Sequence, residues 1–166
     1  MRQILLSVII PTYNSADLLL RCLQSLEEQK FYKSTFEVII VNDGSTDNTL
    51  QILTDYKQQS DLNLKIVDIP HSGPAMARNA GVAHAQTDWI AFLDADVIVS
   101  SFWIQRGITL ITHYPEKGGF EGRTETCNKE KINPFTHQTI NEQGGRYPTC
   151  NLILRKSLCH FYPIWW

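Results

Sequence analysis

The sequence predicts an α/β domain: a mostly parallel sheet with helices on both faces. Short β-branched apolar runs alternate with stretches whose apolar residues recur at helical spacing, in the order β-α-β-α-β-α-β. The runs are near-continuous in their hydrophobicity, as strands covered on both faces must be. The composition agrees. A chain of 166 residues, 43% hydrophobic and 19% charged, fits one globular domain and excludes disordered or collagen-like classes.

Each element has a local reason. Residues 4–11 form a β-branched run closed by Pro11, hence a first buried strand. Ser15 can cap a helix to about Lys30, with Leu18, Leu19, Cys22, Leu23 and Leu26 on one stripe. Residues 36–41 are a second strand, followed by a turn at Asn42-Asp43-Gly44-Ser45. Ser45 or Thr46 then caps a helix through about Gln59. Residues 64–69 are a third strand, closed by Pro70. Gly73-Pro74 opens a helix through about Ala85, because proline is tolerated where its missing N–H would be unpaired. Residues 89–93 are a fourth strand, and Ser100 or Ser101 starts a helix towards His113. The rhythm then weakens. Residues 118–126 and 149–154 read as further strands, with a polar loop or small insertion over 128–145.

Charge and cysteine usage narrow the function. A formal charge of −2 argues against phosphate-backbone binding, so no nucleic-acid partner is expected. Cys22, Cys127, Cys150 and Cys159 show neither a C-x-x-C pair nor zinc spacing, which fits reduced thiols and a cytoplasmic location. No apolar run approaches the ~20 residues of a transmembrane segment, and the apolar start is too short for a signal peptide.

In parallel sheets ligands bind beyond the carboxyl ends of the strands. The exits Thr12-Tyr13-Asn14, Asn42-Asp43, Pro70-His71-Ser72 and Asp94-Ala95-Asp96 therefore form one candidate site. If extended backbone persists past residue 93, Asp94 and Asp96 face one spot. Two carboxylates that close call for a cation, a shared proton or full solvation. A divalent ion on a diphosphate answers that need, though a bare D-x-D, short and common, is more often two acids in a solvated loop. Asp43 can accept from a nucleobase or ribose, or bond its own turn before Gly44. Tyr13 offers a ring face for stacking, or sits as a rim residue. Arg78, early in the third helix, can pair with a phosphate near that helix's positive end, or form a surface ion pair.

Absent motifs exclude other chemistries. There is no G-x-G-x-x-G after the first strand, no G-x-x-x-x-G-K-[ST] and no G-x-S-x-G. His71, His84, His113, His137 and His160 have no H-E-x-x-H spacing; His71, at a strand exit, is the least bland of them.

The ordered set resembles the inverting family 2 glycosyltransferases of GT-A fold, a Rossmann-like architecture. The matching residues are Ser7-Val8-Ile9-Ile10-Pro11-Thr12-Tyr13-Asn14 and Val41-Asn42-Asp43-Gly44-Ser45-Thr46-Asp47-Asn48-Thr49, then Gly73-Pro74-Ala75-Met76-Ala77-Arg78-Asn79-Ala80-Gly81 and Phe92-Leu93-Asp94-Ala95-Asp96. Thr149-Cys150-Asn151-Leu152-Ile153-Leu154-Arg155 resembles the segment that precedes the family's catalytic acidic motif. The resemblance implies a donor site for a nucleotide-diphosphate sugar, UDP- or GDP-linked, formed by Pro11, Thr12, Tyr13, Asn14, Asp43, Arg78, Asp94, Ala95 and Asp96. Thr12 and Tyr13 would border the base, and Asp43 would contact base or ribose. Arg78 would hold the nucleotide or the first acidic residue. Asp94 and Asp96 would hold Mg²⁺ or Mn²⁺. The acceptor would be a saccharide, lipid or protein hydroxyl, and the location cytoplasmic or peripheral at the inner membrane face.

The resemblance also implies a division of one domain. Residues 1–115 would be the nucleotide-sugar half and 116–166 the start of the acceptor half. The family's general base comes from an acidic motif after the Asn151-Leu152 segment, and no acidic residue follows Glu142 here. The base is therefore expected beyond Trp166, and nothing at Glu121, Glu125 or Glu142 recommends a substitute. Two rival readings remain: a nucleotide-binding remnant without transferase activity, and a phospho-acceptor receiver domain, for which no lysine is clearly placed.

Overall fold

The computed structural model describes residues 3–125 and 149–160. Its strands are β1 (Leu6–Thr12), β2 (Phe36–Asp43), β3 (Leu64–Ile69), β4 (Trp89–Leu93), β5 (Gly119–Glu121) and β6 (Asn151–Arg155). Its helices are α1 (Ala16–Glu27), α2 (Thr49–Gln59), α3 (Pro74–His84) and α4 (Trp103–His113). The strands form one sheet in the order β3-β2-β1-β4-β6-β5. The first four run parallel, while β6 lies antiparallel to both β4 and β5. The expected mostly parallel sheet is thus present, with an antiparallel strand inserted between β4 and β5.

The strand boundaries have physical causes. β3 and β4 occupy the residues expected. β1 runs past Pro11 to Thr12, which pairs with Asn42. The β1–β4 ladder ends at Ile9–Phe92, so the missing N–H of Pro11 interrupts nothing on that flank. β2 extends through Asn42 and Asp43, expected as turn residues, because they pair with Asp68 and Ile69. β5 covers only the start of the strand expected over 118–126. Thr126 and the polar stretch 128–145 lie outside the described residues, as do Cys127, His137 and Glu142.

The helix ends also depart from expectation. α1 stops at Glu27 because buried Gln29 turns inward. Its Nε2 donates to the carbonyls of Ser25 and Ser100, and its Oε1 accepts from Ile104 N at 2.9 Å. α4 starts after Phe102 and not at Ser100 or Ser101. The carbonyls of those serines accept from Trp103 N and Lys30 N instead.

Strand alternation sends two sets of side chains to opposite faces. Leu6, Val8 and Ile10 join Val38, Ile40, Ala91 and Leu93 under α1, α2 and α4. Ile9, Ile39, Val41, Ile90 and Phe92 pack against Ala77 and Val82 of α3, and against Cys159. Ser7 and Glu37 lie buried near the strand starts. Ser7 donates to Glu37 Oε1 at 2.6 Å, which also accepts from Gln86 N at 2.8 Å, so this carboxylate is satisfied. Among the described residues no helix is long and apolar enough to cross a membrane.

α3 sits close enough to β1 that a Cβ at Gly81 would lie 2.4 Å from Ile9 Cγ2. Gly→Ala inside a helix ordinarily stabilises by about 1 kcal/mol. Here overpacking outweighs propensity, and Gly81→Ala is expected to destabilise by about 1–3 kcal/mol. A urea titration checks this: the midpoint should fall, and a raised midpoint would show that the helix has room to move.

Candidate functional site

Parallel strands place their carboxyl ends at one edge, and the chain's polar exits gather there. At the β1 exit, Asn14 adopts a left-handed conformation, φ 47°. Its Oδ1 accepts from Thr46 N at 2.8 Å and Asp47 N at 3.3 Å, and its own N–H donates to Ser45 Oγ. This staple engages Ser45 and Thr46, the expected caps of α2, and the helix begins after Asn48 instead. Asp47 Oδ1 accepts from Thr49 N at 3.0 Å. The Thr49 contacts hold the Asp47 carboxyl below the usual carboxylate range.

At the β2 exit, Asp43 is turned inward and its side chain is 3% exposed. Oδ1 accepts from Ser72 N at 2.7 Å and Oδ2 from Gly73 N at 2.9 Å. The carboxylate therefore organises the loop ahead of α3, not its own turn. Gly44 permits this approach. Its φ is +66°, and a Cβ there would lie 2.7 Å from His71 N. His71 Nδ1 lies 3.0 Å from both the Asp43 carbonyl oxygen and Asp43 Oδ2. The Tyr13 ring stacks on His71 with centroids 4.2 Å apart.

Arg78 is buried in α3, and its Nη2 donates to Asp94 Oδ1 at 2.6 Å. It thus forms an ion pair, but an interior one. Asp94 follows β4 directly. The expectation of extended backbone through Asp94-Ala95-Asp96 is corrected here. Val97 N donates to the Asp94 carbonyl at 3.1 Å, so the segment is a turn. The two carboxylates nevertheless border the same space. Behind them, burial and then the charges of Asp96 and Asp94 push the Cys22 thiol up to about 12. Burial likewise raises Cys150, which stands on the site's other side.

Two cavities open at this edge. The smaller, about 360 Å³, is bordered by Pro11, Thr12, Tyr13, Asp43, Arg78, Asp94, Ala95 and Asp96, with His71 among its other walls. Every candidate from the sequence lies there except Asn14, whose side chain joins two loops. Thr12 Oγ1, buried beside this cavity, has no hydrogen-bond partner among the described residues. The larger cavity, about 720 Å³, shares Asp94 and Asp96 and extends to Trp103, Glu121, Glu125 and Asn151. Nothing in the local sequence singles out Glu121 or Glu125, yet both stand on this wall. Their signal would have been the exit of β5, a strand too short to bound from periodicity. Asn151 braces the wall: its Oδ1 accepts from Trp103 Nε1 at 2.8 Å and its Nδ2 donates to the Arg123 carbonyl.

Known proteins resemble this chain in sequence and fold. TarS, a poly(ribitol-phosphate) β-N-acetylglucosaminyltransferase of Staphylococcus aureus, is 40% identical over 90 residues, 54% of this chain and 16% of TarS. Glycosyltransferase AglE of Haloferax volcanii is 36% identical over 161 residues, 92% of this chain and 53% of AglE. The crystal structure of S. aureus TarS 1–349 in complex with UDP-GlcNAc superposes with a TM-score of 0.77 at 27% identity, covering 95% of this chain and 47% of that one. The chain thus spans about half the length of AglE and of the TarS fragment. The pattern of glycosyl transferase family 2 runs over residues 7–162. The fold is that of the GT-A enzymes, and the chain belongs to glycosyl transferase family 2.

Proposed function

We propose that this chain binds a nucleotide-diphosphate sugar with a divalent cation, and that the whole protein transfers the sugar with inversion to an acceptor hydroxyl. One observation carries the reading: the four strand exits meet at a cavity that shares Asp94 and Asp96 with a second, larger one. The nucleotide belongs in the smaller space, which has an aromatic platform and a buried acidic floor. The acceptor, a saccharide, lipid or protein hydroxyl, belongs in the larger. The reacting centre then falls between them, beside the two aspartates. Residues 1–115 act as the nucleotide-sugar half and 116–166 begin the acceptor half, on the cytoplasmic side. A UDP-sugar is the leading donor and a GDP-sugar the alternative; TarS has been crystallised with UDP-GlcNAc, and its sequence likeness covers 54% of this chain.

The residues present fit Mg²⁺ or Mn²⁺. Among the described residues no three His, Cys, Asp or Glu side chains form a ready-made metal cage. Mg²⁺ is ordinarily held by one or two carboxylates plus substrate phosphates and water, and needs no such cage. Asp96 is exposed and open to a cation, while Asp94 shares its charge with Arg78. Among the described residues three aspartates face the smaller cavity against Arg78, so a diphosphate entering alone meets net repulsion. When bound, the ion would offset the diphosphate charge and stabilise the departing nucleotide. Arg78 orients Asp94, and Tyr13 and Thr12 border the base. No general base is assigned among the described residues.

A thermal-shift panel of UDP, GDP and CDP, with and without Mn²⁺, tests this. A ligand at one hundred times its dissociation constant stabilises by about 2.7 kcal/mol. One nucleotide should raise a cooperative melt only when metal is present. A cooperative melt that no nucleotide moves would refute the donor site.

Asp96→Ala should abolish the metal-dependent part of the shift while leaving the ligand-free melting temperature within a degree or two, because Asp96 is exposed. An unchanged metal response in that variant would place the ion elsewhere.

A further inference from the structure

Residues 94–102 connect β4 to α4 without helix or strand. Asp94 and Asp96 border both cavities, Ala95 the smaller one and residues 97–100 the larger, so this segment is a wall the two spaces share. Arg78 fixes the side chain of Asp94. Among the described residues no hydrogen bond or ion pair holds the side chain of Asp96, so its place depends on the backbone beneath it.

That backbone is held from α1 and the turn after it. Cys22, Ser25 and Gln29 recur at helical spacing, and all three are buried. The Cys22 thiol lies 3.8 Å from the Asp94 carbonyl oxygen. Ser25 Oγ accepts from Val99 N at 3.1 Å and donates to the Cys22 carbonyl at 2.7 Å. Gln29 Nε2 donates to the Ser100 carbonyl at 2.8 Å and to that of Ser25 at 2.9 Å, and its Oε1 accepts from Ile104 N at 2.9 Å. Lys30 N adds a backbone bond to the Ser101 carbonyl at 2.8 Å. A buried hydroxyl and a buried amide cost stability unless bonded, and apolar side chains would fill the same space without that demand. Both polar groups bond the one segment that carries Asp96.

We propose, resting on the donor-site reading above, that Ser25 and Gln29 are positioning residues for the cation. Neither lines a cavity. They strap residues 94–104 to α1, so that Asp96 stands in place beside Asp94 before the ion and the diphosphate arrive. A carboxylate preset in this way binds without first giving up the freedom of its loop. When the strap is cut, the binding-competent fraction falls and the apparent affinity falls with it.

Three variants test this. Gln29→Met keeps the length of the side chain and loses its three bonds. Ser25→Ala removes the partner of Val99 N with little change of volume. Leu62→Ala truncates the core just before β3, away from the strand exits, and controls for lost stability. Mn²⁺ affinity is read by electron paramagnetic resonance of the free ion, with saturating UDP or GDP, at a temperature where every variant is folded. Gln29→Met should weaken Mn²⁺ about tenfold and Ser25→Ala about threefold, as the loss of one or two buried hydrogen bonds implies, while Leu62→Ala stays within about twofold. In the ligand-free chain, the Val97 amide, bonded to the Asp94 carbonyl, should exchange with solvent faster in both strap variants than in Leu62→Ala. Unchanged Mn²⁺ affinity in both strap variants would overturn the proposal, and so would an equal loss in Leu62→Ala. A wild-type chain that binds neither nucleotide with Mn²⁺ would overturn the donor-site reading instead. Val97 exchange then still decides whether the strap fixes the segment, and exchange no faster than in the control refutes it. If Gln29→Met fails to fold, Ser25→Ala decides by the same two readouts.

Discussion

The geometry of the site depends on the carboxylate of Asp43. It is buried at the end of β2 and accepts from two consecutive backbone amides, Ser72 and Gly73. Hydrogen bonds to a charged group are each worth about 1.5–3 kcal/mol, well above a neutral pair. The second amide belongs to the residue immediately ahead of α3, so the tie fixes where that helix begins. Arg78 lies in the following turn and reaches Asp94 at 2.6 Å. One interaction therefore runs in sequence from β2, through the loop after β3, to the turn after β4. A shift of the Asp43 side chain would move the arginine and, with it, Asp94 at the edge of both cavities.

The sheet makes that tie possible. β1 through β4 are parallel, and the registers bring Thr12 beside Asn42 and Asp43 beside Ile69. Loops that are distant in sequence thereby become neighbours at one edge. Close packing below holds the edge in place: α3 lies against Ile9 with no space for a side chain at Gly81. The buried polar network of Ser7, Glu37 and Thr87 is fully satisfied at the strand starts, away from the exits. Rigidity below and polar loops above form a division of labour that suits a binding edge.

Much of this was legible in the sequence, and the reasons for the exceptions are physical. β3 and β4 could be read to the residue because each is a short apolar run with a clear stop. The four exits could be joined because a parallel sheet leaves no other edge for them. What local pattern could not show was competition from far along the chain. The caps expected at Ser45 and Thr46 were lost because Asn14, more than 30 residues away, takes their groups. Gln29 leaves α1 for partners beyond residue 99. Asp94 and Asp96 both border the two cavities, but on a turn and not on a continued pleat, because Val97 N closes back on the Asp94 carbonyl. Glu121 ends a strand only three residues long and Glu125 lies beyond it, so nothing periodic marks either as a wall of the larger cavity.

The charge pattern adds a last step. Among the described residues the smaller cavity has an excess of carboxylates, and Arg78 at its edge already faces Asp94. Such a site disfavours a bare anion and welcomes a cation, the reverse of a phosphate-binding helix end lined with arginines. The start of α3 supplies some positive dipole, but Asp43 occupies the amides just ahead of it. Backbone groups that would otherwise cradle a phosphate are therefore spent on holding the loop. Under the proposed function, this makes cation and nucleotide sugar interdependent ligands. Each lowers the electrostatic cost of the other, so each binds more tightly when the other is present.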